Sequence, residues 1–165
     1  MKTTIQNTIL KRLTAVLGLM ALLICTTPAT SATAADSSQG RAPLIGLWDS
    51  QVTLTNCQGV VIKTFEAFEM FNQGGTLSST DNQSANGPGV GTWQGLGRGS
   101  YSAPFQFFSF NPDGTWASTA RISRNIQLGM DRNSYTSTVG VEIFDPNGNL
   151  VATLCGSEVA TRVAN

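Results

Sequence analysis

One arginine and two glutamates carry most of the chemistry open to this chain. Between Trp116 and Leu128 the alternate residues Trp116, Ser118, Ala120, Ile122, Arg124, Ile126 and Leu128 share one strand face, so Arg124 points the same way as its apolar neighbours. A guanidinium turned into a core is costly unless it is paired and hydrogen-bonded. Two acids are placed to pair it: Glu69 alternates with Phe65, Ala67 and Phe71, and Glu158 with Leu154 and Ala160. Arg124 with either acid would be the polar anchor of a mostly apolar cavity, orienting a ligand carboxylate or carbonyl. The competing reading is a structural ion pair, or a rim position reached by solvent. Trp93, Tyr101, Phe105, Phe107, Trp116 and Tyr135 are the aromatic candidates for lining such a cavity. Plain core packing competes with that role for each of them, because a small barrel's interior is just wide enough for its own side chains to fill.

What is missing narrows the chemistry further. There is no histidine among the 165 residues, which excludes Ser-His-Asp and Cys-His hydrolysis and every histidine-held metal or haem. Neither a metal nor a cofactor is expected. Asp145-Pro146-Asn147-Gly148-Asn149 begins like a calcium loop, but Leu150 stands where that loop needs glycine, so the segment reads as a turn. Lys63 alternates with Val61 and Phe65, and nothing beside it in sequence would activate an amine.

The elements that must position these residues are strands. Charged residues make up only 12% of the chain against 41% hydrophobic, and 17 glycines punctuate it, a β-rich and extracellular-looking composition. Extended segments run over 44–56, 60–72, 76–80, 89–94, 99–110, 115–128, 134–144 and 149–163. They are separated by turn signals such as Asn111-Pro112-Asp113-Gly114 and Asp145-Pro146-Asn147-Gly148. Eight strands with short connections form an antiparallel meander, and closure removes its two exposed edges. The expected fold is therefore all-β, an eight-stranded antiparallel up-and-down barrel with no C-terminal helix. Two segments are apolar on both faces, with Ile62, Phe68 and Met70 behind Phe65 and Phe71, and Phe108 and Phe110 behind Phe105 and Phe107. A loop or a second subunit should cover the outer set, which points to a homo-oligomer.

The first 34 residues read as an export signal: Lys2, Lys11 and Arg12, an apolar run of about 12 residues, and Ala32-Thr33-Ala34 at the cleavage site. That run is too short to span a bilayer. Residues 35–43 form a polar, flexible lead, and 44–165 a single barrel domain. Processing leaves seven basic and ten acidic residues and no basic stripe, so neither nucleic acid nor a membrane span is expected. Two cysteines remain, Cys57 and Cys155, in a chain sent to the periplasm or beyond. A disulfide is the default there, and closing a loop of about 100 residues it would contribute ~4 to 5 kcal/mol. Placing the two cysteines opposite each other on the first and last strands sets Val52 against Ala160, Ser50 against Arg162, and Trp48 diagonally beside Arg162. Leu150, Ala152 and Leu154 then join the interior face.

Gly46-Leu47-Trp48 at the start of the first strand, with Arg162 near the end of the last, resembles the barrel-closing signature of the calycin superfamily. In lipocalins a basic residue of the last strand packs over that tryptophan, and the resemblance implies a cavity for a small lipophilic molecule. The sequence stops two residues after Val163, where lipocalins place a helix, which turns the comparison toward avidin-type or allene-oxide-cyclase and dirigent-type barrels. The run Gly74 to Ser78, Pro88-Gly89-Val90-Gly91-Thr92-Trp93, the two Asn/Asp-Pro turns, Cys155 and Arg162 are similar to a family of small exported bacterial proteins. Members carry histidine within the Pro-Gly-x-Gly-x-Trp segment where Val90 stands, so any chemistry of that histidine is absent. The resulting expectation is a non-catalytic binder of a small lipophilic or amphipathic molecule. The alternatives are a cyclase or isomerase that folds its substrate in the barrel, and a partner-binding domain with a filled core. A lumen under about 100 Å³ would favour the last, since ligand sites usually span 300 to 1,000 Å³.

Overall fold

The structure, a computed structural model, describes residues 43–164. The expected signal and nearly all of the polar lead lie outside the described residues. Ten strand segments follow one another: β1 (Gly46–Thr55), β2 (Val61–Phe71), β3 (Thr76–Asp81), β4 (Gly89–Thr92), β5 (Gln94–Gly97), β6 (Ser100–Ser102), β7 (Phe105–Phe110), β8 (Trp116–Leu128), β9 (Ser134–Phe144) and β10 (Leu150–Arg162). Eight of them close a ring in the order β1, β2, β3, β4, β7, β8, β9, β10 and back to β1, every pairing antiparallel. Among the described residues there is no helix, and so none long and apolar enough to cross a membrane.

Two of the eight expected strands are each broken in two. Trp93 leaves the ladder between β4 and β5, its backbone N–H reaching back to Gly75 O at 2.7 Å. Between β6 and β7 stands Pro104, which has no N–H to offer a neighbour. The hairpin β5–β6 therefore extends the wall along the far end of β8.

Closure uses a different register from the one expected of directly opposed cysteines. Trp48 faces Arg162, Ser50 faces Ala160, Val52 faces Glu158 and Thr55 faces Cys155. Cys57 and Cys155 are bonded, with Cα atoms 4.8 Å apart, but the bond runs diagonally. The reason is local: β1 ends at Thr55, and Cys57 lies in the following turn with φ of 66°, so it reaches back across the ladder. The correction is two residues, an even number, and so leaves every side chain on its expected face.

Bulges overturn two other placements. Between Ser109 and Phe110 the register shifts against β8, so that Phe110 pairs with Trp116 and Ala117 is the extra residue. Trp116 is therefore on the outside, edge-on to Phe108 with ring centroids 5.9 Å apart, and not on the face of Arg124. A second shift between Leu150 and Ala152 turns Leu150 to solvent, while Leu154 stays inward.

The interior divides into two halves. One end is packed solid around Leu44, Trp48, Phe71, Tyr101, Ile126 and Tyr135. The other half is walled by Val52, Leu54, Ala67, Ala120, Ile122, Val139 and Val141, with Phe65, Phe105 and Phe107 against them.

Candidate functional site

Strand alternation brings one polar side chain from each of several staves to the level between those halves. β8 contributes Arg124, β2 Glu69, β10 Glu158, β9 Tyr135 and Ser137, and β1 Ser50, all buried. Arg124 Nη1 donates to Glu69 Oε1 and to both oxygens of Glu158 at 3.3 Å. Both expected acids are thus partners, and Arg124 is only 3% exposed, which removes the reading of a solvent-reached rim position. The guanidinium lies between two rings, its carbon 5.5 Å from the centroid of Phe71 and 5.0 Å from that of Phe105.

The hydroxyls complete the cluster. The Tyr135 oxygen is 2.8 Å from Glu69 Oε2, 2.7 Å from Glu158 Oε1 and 3.1 Å from Ser50 Oγ. Ser137 Oγ donates to Glu158 Oε2 at 2.6 Å. A phenol has one hydrogen and can donate to only one of two carboxylates. The second short contact needs a proton on the other carboxyl, so the two glutamates hold one proton between them. Burial pushes the Glu69 carboxyl up to about 7 against the pull of Arg124, with the nearby Glu158 charge adding to the rise. Burial also opposes ionisation of Glu158, but Arg124 and the hydroxyls of Ser137, Tyr135 and Ser50 outweigh it and hold its carboxyl below the usual range. The proton therefore belongs on Glu69, and Glu158 is the counter-ion of Arg124. Burial first, then the two carboxyls, lifts the Tyr135 phenol well above its ordinary value. Below about pH 7 the cluster as a whole is therefore neutral.

Above this floor is a cavity of about 160 Å³ whose lining includes Arg124, Glu69, Glu158, Phe105 and Phe107 together with the apolar wall. Its lining includes the small residues Ala67, Ser79, Gly89 and Ala120. Gly89 and Gly91 let β7 come close: a Cβ on Gly91 would lie 2.2 Å from Pro104 O and 2.5 Å from Phe105 Cβ. Lys63, Asp81 and Asn86 stand among the lining residues at the polar end. The loop there is held across β7 by Gly87 N–H to Phe108 O and Phe110 N–H to Ala85 O, both 2.8 Å. Asp81 fastens it from inside, accepting from Gln83 N–H at 2.9 Å and from Asn86 Nδ2 at 2.8 Å.

Three of the aromatic candidates are elsewhere. Tyr101 and Tyr135 belong to the solid half, and Trp93 packs against it, with ring centroids 5.9 Å from Tyr101 and 6.2 Å from Phe71. None of the three lines the cavity. At the solid end Arg162 lies over Trp48, its guanidinium carbon 4.2 Å from the ring centroid. It donates to Ile45 O at 2.8 Å, to Pro43 O and to Arg132 O, while Trp48 Nε1 donates to Leu44 O at 2.9 Å. Gly46, with φ of 137°, makes room for it, since a Cβ there would be 2.6 Å from Arg162 Nη1. Ser50 and Ser137 were not among the expected site residues although a signal was present: Ser50 is a lone hydroxyl among Trp48, Val52 and Leu54, and Ser137 stands between Tyr135 and Val139 on the inward face of β9.

The chain matches no family model, and no curated protein sequence is similar to it. Among solved structures, the S-type phycobiliprotein lyase CpeS from Guillardia theta superposes with a TM-score of 0.38 and 11% identity, over 74% of this chain and 90% of that one. That level of likeness says nothing of the site.

Proposed function

We propose that this protein is an exported, non-catalytic barrel that holds a small lipophilic or amphipathic molecule in its lumen. The observation that carries the reading is the unfilled half of the interior. A cavity of about 160 Å³ lies over a buried polar cluster, its walls mostly apolar, with Lys63, Asp81 and Asn86 also lining it. A dry apolar cavity of ~150 Å³ is enough to take benzene. The volume lies below the usual 300 to 1,000 Å³ of drug-sized sites, which favours a compact ligand. It also speaks against a wholly filled core serving only to bind partners. The Cys57–Cys155 disulfide supports the exported location, because such bonds persist in oxidising compartments.

Mass spectrometry of the small molecule that co-purifies with the exported protein tests the reading. A stoichiometric apolar compound is expected, and Ala120→Phe, which places a ring in the cavity, should displace it. Co-purification undiminished in that variant would put the ligand outside the lumen.

A second reading has one observation behind it. The proton held between Glu69 and Glu158 at the cavity floor is a general acid in an apolar site, which would suit a cyclase or isomerase. Conversion of the co-purified compound on prolonged incubation, lost in Glu69→Gln, would favour it.

A further inference from the structure

Arg124 has five N–H groups, and among the described residues only those on Nη1 find partners. Nε and Nη2 are buried and have no hydrogen-bond partner among the described residues. On a planar guanidinium the Nε–H and one Nη2–H are parallel, a fork able to clamp one oxygen with two lone pairs or two adjacent oxygens. The fork alone would suit a carboxylate. Charge decides against it. Glu158 already neutralises Arg124, and a phenol with a single hydrogen between two carboxyls requires the second to be protonated and neutral. A ligand carboxylate held by Arg124 would bring a second anion into a buried cluster that holds one cation, beside Glu158; the other cation lining the cavity, Lys63, is outside that cluster, its Nζ 5.1 Å from the centroid of the Phe65 ring. A purely apolar ligand would leave three N–H groups unsatisfied under it.

We infer that the cavity selects a compact apolar molecule with a neutral oxygen acceptor, a ketone, ester or lactone carbonyl, and rejects the corresponding carboxylate. This rests on the binding reading above and narrows its ligand class. The carbonyl oxygen accepts from the Nε and Nη2 edge of Arg124. The hydrocarbon part lies against Phe105, Phe107, Ile122 and Val139.

Three probes of similar size test this by calorimetry or NMR titration at about pH 5.5, where Glu69 keeps its proton and benzoate is ionised: ethylbenzene, acetophenone and benzoate. Acetophenone should bind about tenfold or more tightly than either of the others, the gain expected of hydrogen bonds to a charged donor. Benzoate binding as tightly as acetophenone, or ethylbenzene doing so, would overturn the inference while leaving the lumen a binding site. Failure of all three to bind at millimolar concentration would remove the binding reading itself. Replacing both carboxyls, Glu69→Gln with Glu158→Gln, leaves the guanidinium charge without a counter-ion and should raise benzoate affinity at least tenfold relative to acetophenone. An unchanged ratio in a folded variant would count against the charge argument. The wild-type ranking decides the matter even if that variant does not fold.

Discussion

Arg124 is held by two carboxyls of which only Glu158 is ionised below about pH 7, and that asymmetry makes opposite predictions for its neighbours. Arg124→Met keeps the volume but leaves Glu158 charged and unpaired in a 1% exposed position, a change that costs ~3 to 5 kcal/mol. Urea unfolding should show the midpoint falling accordingly. Glu69→Gln replaces a neutral carboxyl by a neutral amide that can still accept from Arg124 and donate to Tyr135, so its cost should stay within about 1 kcal/mol. The pH profile follows from the same proton. Glu69 titrates at about 7 in the fold and at 4.5 when exposed, so between those values the folded state binds more protons than the unfolded one, and stability falls as pH rises. The contribution is complete below the unfolded value and is lost as pH passes through about 7, roughly 3 kcal/mol in all. Glu158, held below its ordinary value, works the other way: its contribution is present above 4.5 and is lost as pH falls through its folded value. Denaturation series between pH 5 and 8 should slope downward in the wild type and be nearly flat in Glu69→Gln. A flat wild-type profile would mean that the two glutamates share no proton.

At the scale of elements, the cavity depends on how closely β7 approaches β4. Gly91 sits under Pro104 and Phe105, and a methyl there meets the Pro104 carbonyl and the Cα and Cβ of Phe105. Gly91→Ala should therefore displace β7, with a loss of ~1 to 3 kcal/mol as for other overpacked sites. The near-ultraviolet circular dichroism of the Phe105 region should change with it. The contrast is Gly59→Ala, in the turn before β2, where nothing lies within 4 Å of the new atom and only the backbone conformation, φ 91°, opposes it. The disulfide ties the turn after β1 to the middle of β10 over a separation of 98 residues. Denatured, unreduced protein lacking residues 1–34 should titrate no free thiol. The Cys57→Ser, Cys155→Ser pair should lose up to ~4 to 5 kcal/mol, since the bridge acts mainly on the unfolded chain.

For the whole molecule, the outer surface is the unusual feature. Phe108 is 52% exposed, Trp116 44% and Phe110 40%, and Phe68 and Met70 are exposed on the far side of the short strands β3 and β4. The loop before β4 pairs with β7 and brings Gly87 beside the Phe110 ring without covering it. Light scattering at micromolar concentration should therefore show a dimer or larger assembly, and a Phe108→Ser, Phe110→Ser double substitution should return it to a monomer. A monomeric wild type would leave these rings for the N-terminal lead to cover.

Much of this was legible in one dimension because a strand has period two. Alternation placed Arg124 and Glu69 among apolar neighbours, the expected pairing of the cysteines put Glu158 on the inward face of the last strand, and a run of eight short strands with polar turns required a closed antiparallel sheet to dispose of its edges. Register shifts by even numbers do not disturb faces, which is why the expected pairing of Cys57 with Cys155 led to the right interior from a ladder two residues out of step. Odd-numbered events did disturb it. The bulges at Ser109 and Leu150 turned Trp116 and Leu150 outward, and no local pattern announces them, because a bulge answers the curvature of the closed wall. Which half of the lumen is filled was likewise not written in any one strand. Small residues on β2, β3, β4 and β8 have to meet at one height before they leave a cavity, and that height depends on the stagger of the whole ring. The shared proton is tertiary for the same reason: Glu69 and Glu158 are 89 positions apart, and only barrel closure sets both carboxyls around one phenol hydrogen.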